Sequence, residues 1–469
     1  MNTGTPRWQP DCQSPLPQTA LSARLPRRRL LTALAGTATW IGACSRSNPS
    51  AGQPAAEGSR LRPGTTLFFM NDIGGPYAQV MEEWAQTFLE KTQVRVELSP
   101  GTQDYTNKLL ASFASGTPPD IFRYLYENIP IVAAVERLNM LMRLDNYLKR
   151  DRYDLSDFRK EAIELYRWKG SLYALPRDYG LQLIWYNVEH FRQAGLTPPP
   201  ADWQERTWTF DRLLETARQL TRRTGSEVVQ WGMRVPRGWR LWASWVYANG
   251  GAVVKKNADG LATEFALTEP PAVEALQFVQ DLIYKHRVAP TPAEEQALGS
   301  WQTDWQAGRL SMFITNPGAN SWFRPNSGVP YDVGVFPIGP RATRRGVGGG
   351  GTGWAGASLT KHPEEVWAFL MHITSREGQL VEVKVGQTTP SRISVVLGPE
   401  YLDPASPPEH KRAFAEGQEY VVRDPVAERW PDVQREVVEP TLNQLFWSGQ
   451  ASAKEVAERI KSQGDPYFR

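Results

Sequence analysis

At 469 residues the chain is longer than one hydrophobic core usually serves, so two or more packed units are expected. With 41% hydrophobic and 22% charged residues, its composition excludes a disordered or fibrous protein. A formal charge of +3 would suit a nucleic-acid partner only if the basic residues lay in the folded body.

They do not. Arg27, Arg28 and Arg29 precede an apolar run, Leu30 to Ala43, that ends in Ile41-Gly42-Ala43-Cys44. The run has the length of a signal-peptide core and is short for a bilayer span. Arg27 and Arg28, followed by Leu30-Leu31, resemble a twin-arginine export signal. Ile41 to Cys44 resembles a lipobox, whose cysteine is acylated and becomes the first residue. The alternative is a plain cleaved signal with an incidental cysteine. Residues 1–43 hold five arginines and one acid, so the mature chain carries a charge of about −1. That leaves no broad phosphate-binding field, and no nucleic-acid partner is expected. Cys12 departs with the signal and Cys44 would carry lipid, so no disulfide is expected. Residues 44–64, rich in Ser, Ala, Pro and Gly, read as a flexible tether.

From Thr66 strand and helix alternate. "TLFFM" reads as a strand, and "QVMEEWAQTFLEKT" as an amphipathic helix with Val80, Trp84 and Phe88 on one face. "VRVEL", a helix through "YTNKLLASFASG", and "PPDIFRYLY" continue a β-α-β-α-β pattern that argues a largely parallel sheet. Two strand-like runs, Leu172–Leu175 and Leu181–Tyr186, follow, joined by Pro-Arg-Asp-Tyr-Gly. Beyond them come a helix through "PAVEALQFVQDLIYKH", a hairpin around Asn257–Gly260, and strands at "SMFIT" and "YDVGVFPI".

Gly346, Gly348 and Gly351 in "GVGGGGTGWAG" satisfy the dinucleotide-binding spacing GxGxxG. That spacing signifies only between a strand and a helix start. Here a basic, proline-bearing segment precedes it, a short strand follows, and a helix begins only near Pro363. A phosphate loop is therefore not expected.

Taken together, "EEWAQTFLEKTQVRVEL", "PPDIFRYLYEN", "LYALPRDYGLQLIWYNVEHFRQAGLTPPPADW", "DWQAGRLSMFITNPG", "GGGTGWAGASLTKHPEEVWAFLMHITSREGQ" and "TTPSR" resemble, in order and spacing, the bacterial extracellular solute-binding proteins of family 1. These are the substrate-binding components of carbohydrate ABC importers. The resemblance implies an α/β, two-lobed periplasmic-binding-protein fold of type II. Each lobe would be a mainly parallel sheet flanked by helices, with a ligand cleft between the lobes. It divides the chain into lobe 1 at 65–177 and 351–410, and lobe 2 at 178–350 with a helical C-terminal part at 411–469. The glycine run then becomes the return crossing between lobes, where glycine would supply hinge freedom and close approach of ligand to backbone.

The resemblance also implies a site: Asn71 and Asp72 after the first strand, Tyr124, Glu127 and Asn128 after the third, and Asp178 and Tyr179 at the first crossing. Trp239, Asn316 and Trp322 would come from lobe 2, and Gly351 and Trp354 from the return. Sugar rings pack C–H faces on aromatic planes and bond planar polar groups, so Tyr124 and Trp354 are expected to stack. Trp354 is expected to be partly exposed until the lobes close. The implied partners are a sugar, ABC permease subunits and the outer face of the membrane through lipid on Cys44, with the protein itself a monomer. No cofactor, metal or catalytic residue is expected. GxSxG, HExxH and CxxC are absent, and the five histidines show no metal-ligand spacing. Two alternatives stay open: the same fold serving a polyamine, polyol phosphate or other solute, and a glycosidase using Glu127 with Asp178.

Overall fold

The computed structural model describes residues 60–469 apart from 76, 102 and 387. Arg27, Arg28, Cys44 and the tether up to residue 59 lie outside the described residues. From Ser59 onward the chain forms one unit containing two large apolar cores.

The first core draws on residues 67–179 and 354–373. Its sheet has five strands, in the order Arg95–Leu98, Thr66–Met70, Ile121–Tyr124, Gly353–Gly356 and Leu175–Pro176. The first three run parallel, and Gly353–Gly356 is antiparallel to both neighbours. Helix Tyr77–Thr92 buries Tyr77, Val80, Met81, Trp84 and Phe88, the stripe its three-and-four spacing dictates.

The second core draws on residues 181–347 and 413–460. Its sheet departs from the parallel arrangement expected of each lobe. Met312–Thr315 and Tyr331–Gly334 both pair antiparallel with Leu183–Asn187. The central strand enters from the other lobe, so its direction is set by the crossing and not by a local β-α-β unit. Helices Trp239–Ala248, Pro270–Tyr284 and Ala453–Gly464 cover it.

Between the cores, Val347–Gly350 pairs antiparallel with Gly180–Leu181 and parallel with Val421–Val422. The glycine run is thus a strand pair, Val347–Gly350 then Gly353–Gly356, with the next helix at Pro363–Ile373. No helix starts on it, as a phosphate loop would require. The expected backbone freedom is also absent: no glycine from Gly346 to Gly356 has a positive φ. What the run supplies is room. A Cβ on Gly351 would overlap the Asp178 carbonyl oxygen, and one on Gly349 the Gly180 carbonyl oxygen.

Candidate functional site between the lobes

A cavity of about 290 Å³ lies where the lobes and the crossing strands meet. Lobe 1 contributes Arg123, Glu127 and Arg177, lobe 2 contributes Gln182, Arg240 and Asn316, and the crossings contribute Asp178, Gly351 and Thr352. Thr388 closes it from the segment after helix Arg376–Val385.

Each guanidinium is balanced by a carboxylate. Arg123 Nη1 lies 2.6 Å from Asp72 Oδ1, and Arg177 holds Asp178 at 3.0 Å and Glu382 at 2.7 Å. Arg240 lies 2.6 Å from both Glu127 and Asp424. Burial works against the Arg240 charge, but Asp424 and Glu127 outweigh it and hold the group above its ordinary value. For the more deeply buried pair, burial pulls Arg177 below its usual range and pushes Glu382 well above its own. Asp178 is fixed further by the Thr352 N–H, which donates to Oδ1 at 2.6 Å.

Several polar atoms at this cavity are buried without a hydrogen-bond partner: Arg123 Nε, Arg177 Nη2, Gln182 Oε1, Thr388 Oγ1 and Thr389 Oγ1. A buried polar atom left unpaired costs about 1–3 kcal/mol, so such a cluster marks a place built to bond something. The set holds two donors, one acceptor and two hydroxyls that can do either.

Of the residues expected in the cleft, Glu127, Asp178, Asn316 and Gly351 line the cavity. Asp72 and Asn128 line an adjoining groove on lobe 1, though Asp72 reaches the cavity through Arg123. The others lie elsewhere. Asn71 is buried, its Oδ1 accepting from Ile73 N at 2.8 Å. Tyr124 is fully buried and donates to the Ile129 carbonyl, so it is not a stacking face. Tyr179 is fully buried too. Trp239 donates to Asp424 at 2.8 Å, and Trp322 packs edge-on against Trp301. Trp354 is not partly exposed but 0% exposed, set edge-on to Phe69 and Trp84 in the first core. The cavity lining contains no aromatic side chain, against the expectation of sugar stacking.

Sequence reasoning missed Arg123, Arg177, Gln182 and Arg240. A signal existed for Arg123, the lone charge within the apolar strand Ile121–Tyr124, and for Arg177, beside Asp178 in the crossing. The structure also brings Asp332, Glu409 and His410 together, a grouping of possible metal ligands that histidine spacing could not show. Asp332 and His410 are already bonded to each other there.

The model of the family described as bacterial extracellular solute-binding protein matches residues 72–380. The chain belongs to that family. Arabinooligosaccharide-binding protein of Halalkalibacterium halodurans is 23% identical over 325 residues, covering 67% of this chain and 68% of the relative. Lactose-binding protein of Rhizobium radiobacter is 27% identical over 131 residues, 27% of this chain and 28% of its own. Among solved structures, an ABC substrate-binding protein of Listeria monocytogenes in complex with cycloalternan superposes with TM-score 0.73 at 21% identity, covering 85% of this chain and 97% of that one. The acarbose-binding receptor of Streptomyces glaucescens gives 0.71 at 19% identity, over 86% and 98%. These likenesses establish the two-lobed fold of this solute-binding protein. No helix of its described residues is long and apolar enough to cross a membrane.

Proposed function

We propose that this solute-binding protein captures a carbohydrate of one or two rings between its lobes and delivers it to the permease of an ABC importer. The observation that carries the reading is the set of unpartnered donors and acceptors around a cavity whose own charges are already balanced. A neutral, many-hydroxylated ligand both donates and accepts, which is what those atoms require. At about 290 Å³ the cavity is at the small end of ligand sites, which begin near about 300 Å³. The relatives' sugar ligands point the same way. A polyamine needs free acids, and the carboxylates of the lining, Glu127 and Asp178, are already ion-paired. Glu127 and Asp178 are both held in ion pairs, an arrangement for fixing charge and not for passing a proton to a glycosidic oxygen.

A thermal-shift and calorimetric screen over mono- and disaccharides tests this, since a ligand of the folded state raises its melting temperature. Gln182→Ala is expected to weaken the best sugar by about 1–3 kcal/mol with little change in melting of the free protein. A panel in which polyamines shift melting and sugars do not would overturn it. We further propose export through Arg27 and Arg28 and lipid anchoring at Cys44. Cys44→Ala is then expected to abolish fatty-acid labelling, and labelling that persists would refute the anchor.

A further inference from the structure

A second cavity, of about 270 Å³, lies on lobe 2 beside the crossing strands. Its walls are the loop Gly250 to Val254 after helix Trp239–Ala248, residues 344–346 entering the return strand, and residues 420–423. Lys256, Arg344, Arg345 and Arg423 line it, and no carboxylate does.

This reverses the pattern of the interlobe cavity, where every guanidinium has an acidic partner. None of these four cations forms an ion pair among the described residues. Of the acids near these positions in sequence, Asp424 is paired with Arg240, Glu419 with Arg159 and Glu264 with Lys255, while Asp259 lines a different cavity. Arg345 is buried, and its guanidinium donates only to carbonyl oxygens, at 2.9 Å to Trp203 and 2.6 Å to Phe336, with a further bond to Glu205. Its direct contacts are carbonyl dipoles, and Glu205 and Asp202 attract it only through space. Arg344 donates to the Glu419 carbonyl at 2.8 Å and lies over the Tyr420 ring. Lys256 and Arg423 are exposed. Packing around the Lys256 ammonium and the charge of Arg423 hold it below its ordinary value, a lowering that the attraction of Asp424 only partly offsets.

Like charges gathered around a concavity without a direct ion pair repel one another, and an anion seated among them relieves that repulsion. Guanidinium forks with an ammonium are matched by an oxyanion with several acceptor oxygens. We infer that this lobe 2 cavity is a binding site for a phosphate-type oxyanion, free or as a monoester, separate from the sugar cleft.

Inorganic phosphate, titrated into the mature protein at constant ionic strength with chloride as the counter-titrant, is expected to bind saturably and raise the melting temperature. Glycerol phosphate in a parallel arm distinguishes the sources. Comparable binding of the monoester supports an esterified phosphate, and binding of inorganic phosphate alone supports the free anion. A Lys256→Ala, Arg344→Ala, Arg423→Ala triple variant should lose at least tenfold in phosphate affinity while keeping the sugar affinity. Should that variant not fold, Arg423→Gln, altering one exposed side chain, should still weaken phosphate severalfold. Absence of saturable phosphate binding in the wild type, or unchanged binding in the variants, would overturn the site.

Discussion

At the scale of single residues, Trp354 carries the largest reassignment. Its strand lies inside a five-stranded sheet, between Ile121–Tyr124 and Leu175–Pro176, and the ring is fully buried on the sheet's face. The ring meets Phe69 at 5.1 Å and Trp84 at 5.8 Å between centroids, and Arg177 lies over it at 5.6 Å. It is a core residue that supports a cavity arginine from beneath. Trp354→Ala should therefore cost about 3–5 kcal/mol of stability, as large aromatic truncations in cores do. Urea denaturation measures it, and loss of sugar affinity with unchanged stability would refute the assignment.

Glu365 is the second case. Its buried carboxylate receives Arg62 N at 3.0 Å and Nε at 2.9 Å on one oxygen, and Nη2 at 3.1 Å on the other. Burial alone would raise its pKa, but these bonds outweigh burial and bring it from an ordinary 4.5 to about 2. A carboxylate whose folded pKa is depressed adds stability above its unfolded value, and that stability is lost as pH falls through the folded one. The melting-temperature difference between wild type and Glu365→Gln should thus be constant above pH 4.5 and shrink toward pH 2. A constant difference across that window would contradict the argument. Neither residue's role was legible in sequence. Position beside the glycine run located Trp354, but which face a strand residue occupies depends on neighbours far away in the chain.

At the scale of elements, the first lobe was legible because its strands and helices alternate, and each helix carries its own apolar stripe. The antiparallel sheet of lobe 2 was not, since strand direction there follows from a crossing that joins residues 183–187 to partners more than a hundred positions on. The glycine run was legible as a crossing and misread as to cause. Gly349 and Gly350 pair directly with Leu181 and Gly180, and Gly348 N donates to Ser244 Oγ at 3.0 Å, pinning the strand to a helix. Glycine is needed because two crossings and a helix approach within backbone contact, so methyls added at Gly348, Gly349 and Gly351 meet main chain. Gly349→Ala should then cost about 1–3 kcal/mol through overpacking, and more if the crossings cannot spread. If the run were only a flexible loop, the same change would leave the unfolding midpoint where it was.

At the scale of the whole molecule, the lobes are joined by the crossings and by charge. Glu127 of lobe 1 reaches Arg240 of lobe 2, and Tyr126 accepts a hydrogen bond from the same guanidinium at 3.1 Å. Such bonds exist only when the lobes are together, so they favour closure, and a ligand touching both lobes adds to them. Saturating the protein with its best sugar should reduce the radius of gyration measured by small-angle scattering, if the ligand-free protein populates open forms. The choice of variant matters. Removing Arg240 would strand Asp424, which is buried, and the resulting loss would mix folding with closure. Glu127→Gln leaves Arg240 paired with Asp424 and removes only the bond across the cleft. Because Glu127 is about a third exposed, that bond is worth roughly 1 kcal/mol or less, or about a fivefold change at most. The variant should show a larger ligand-free radius, a modest loss of sugar affinity, and an unfolding midpoint close to wild type. A ligand-free radius identical to wild type, with affinity unchanged, would show that the ion pair does not bias the lobes toward closure.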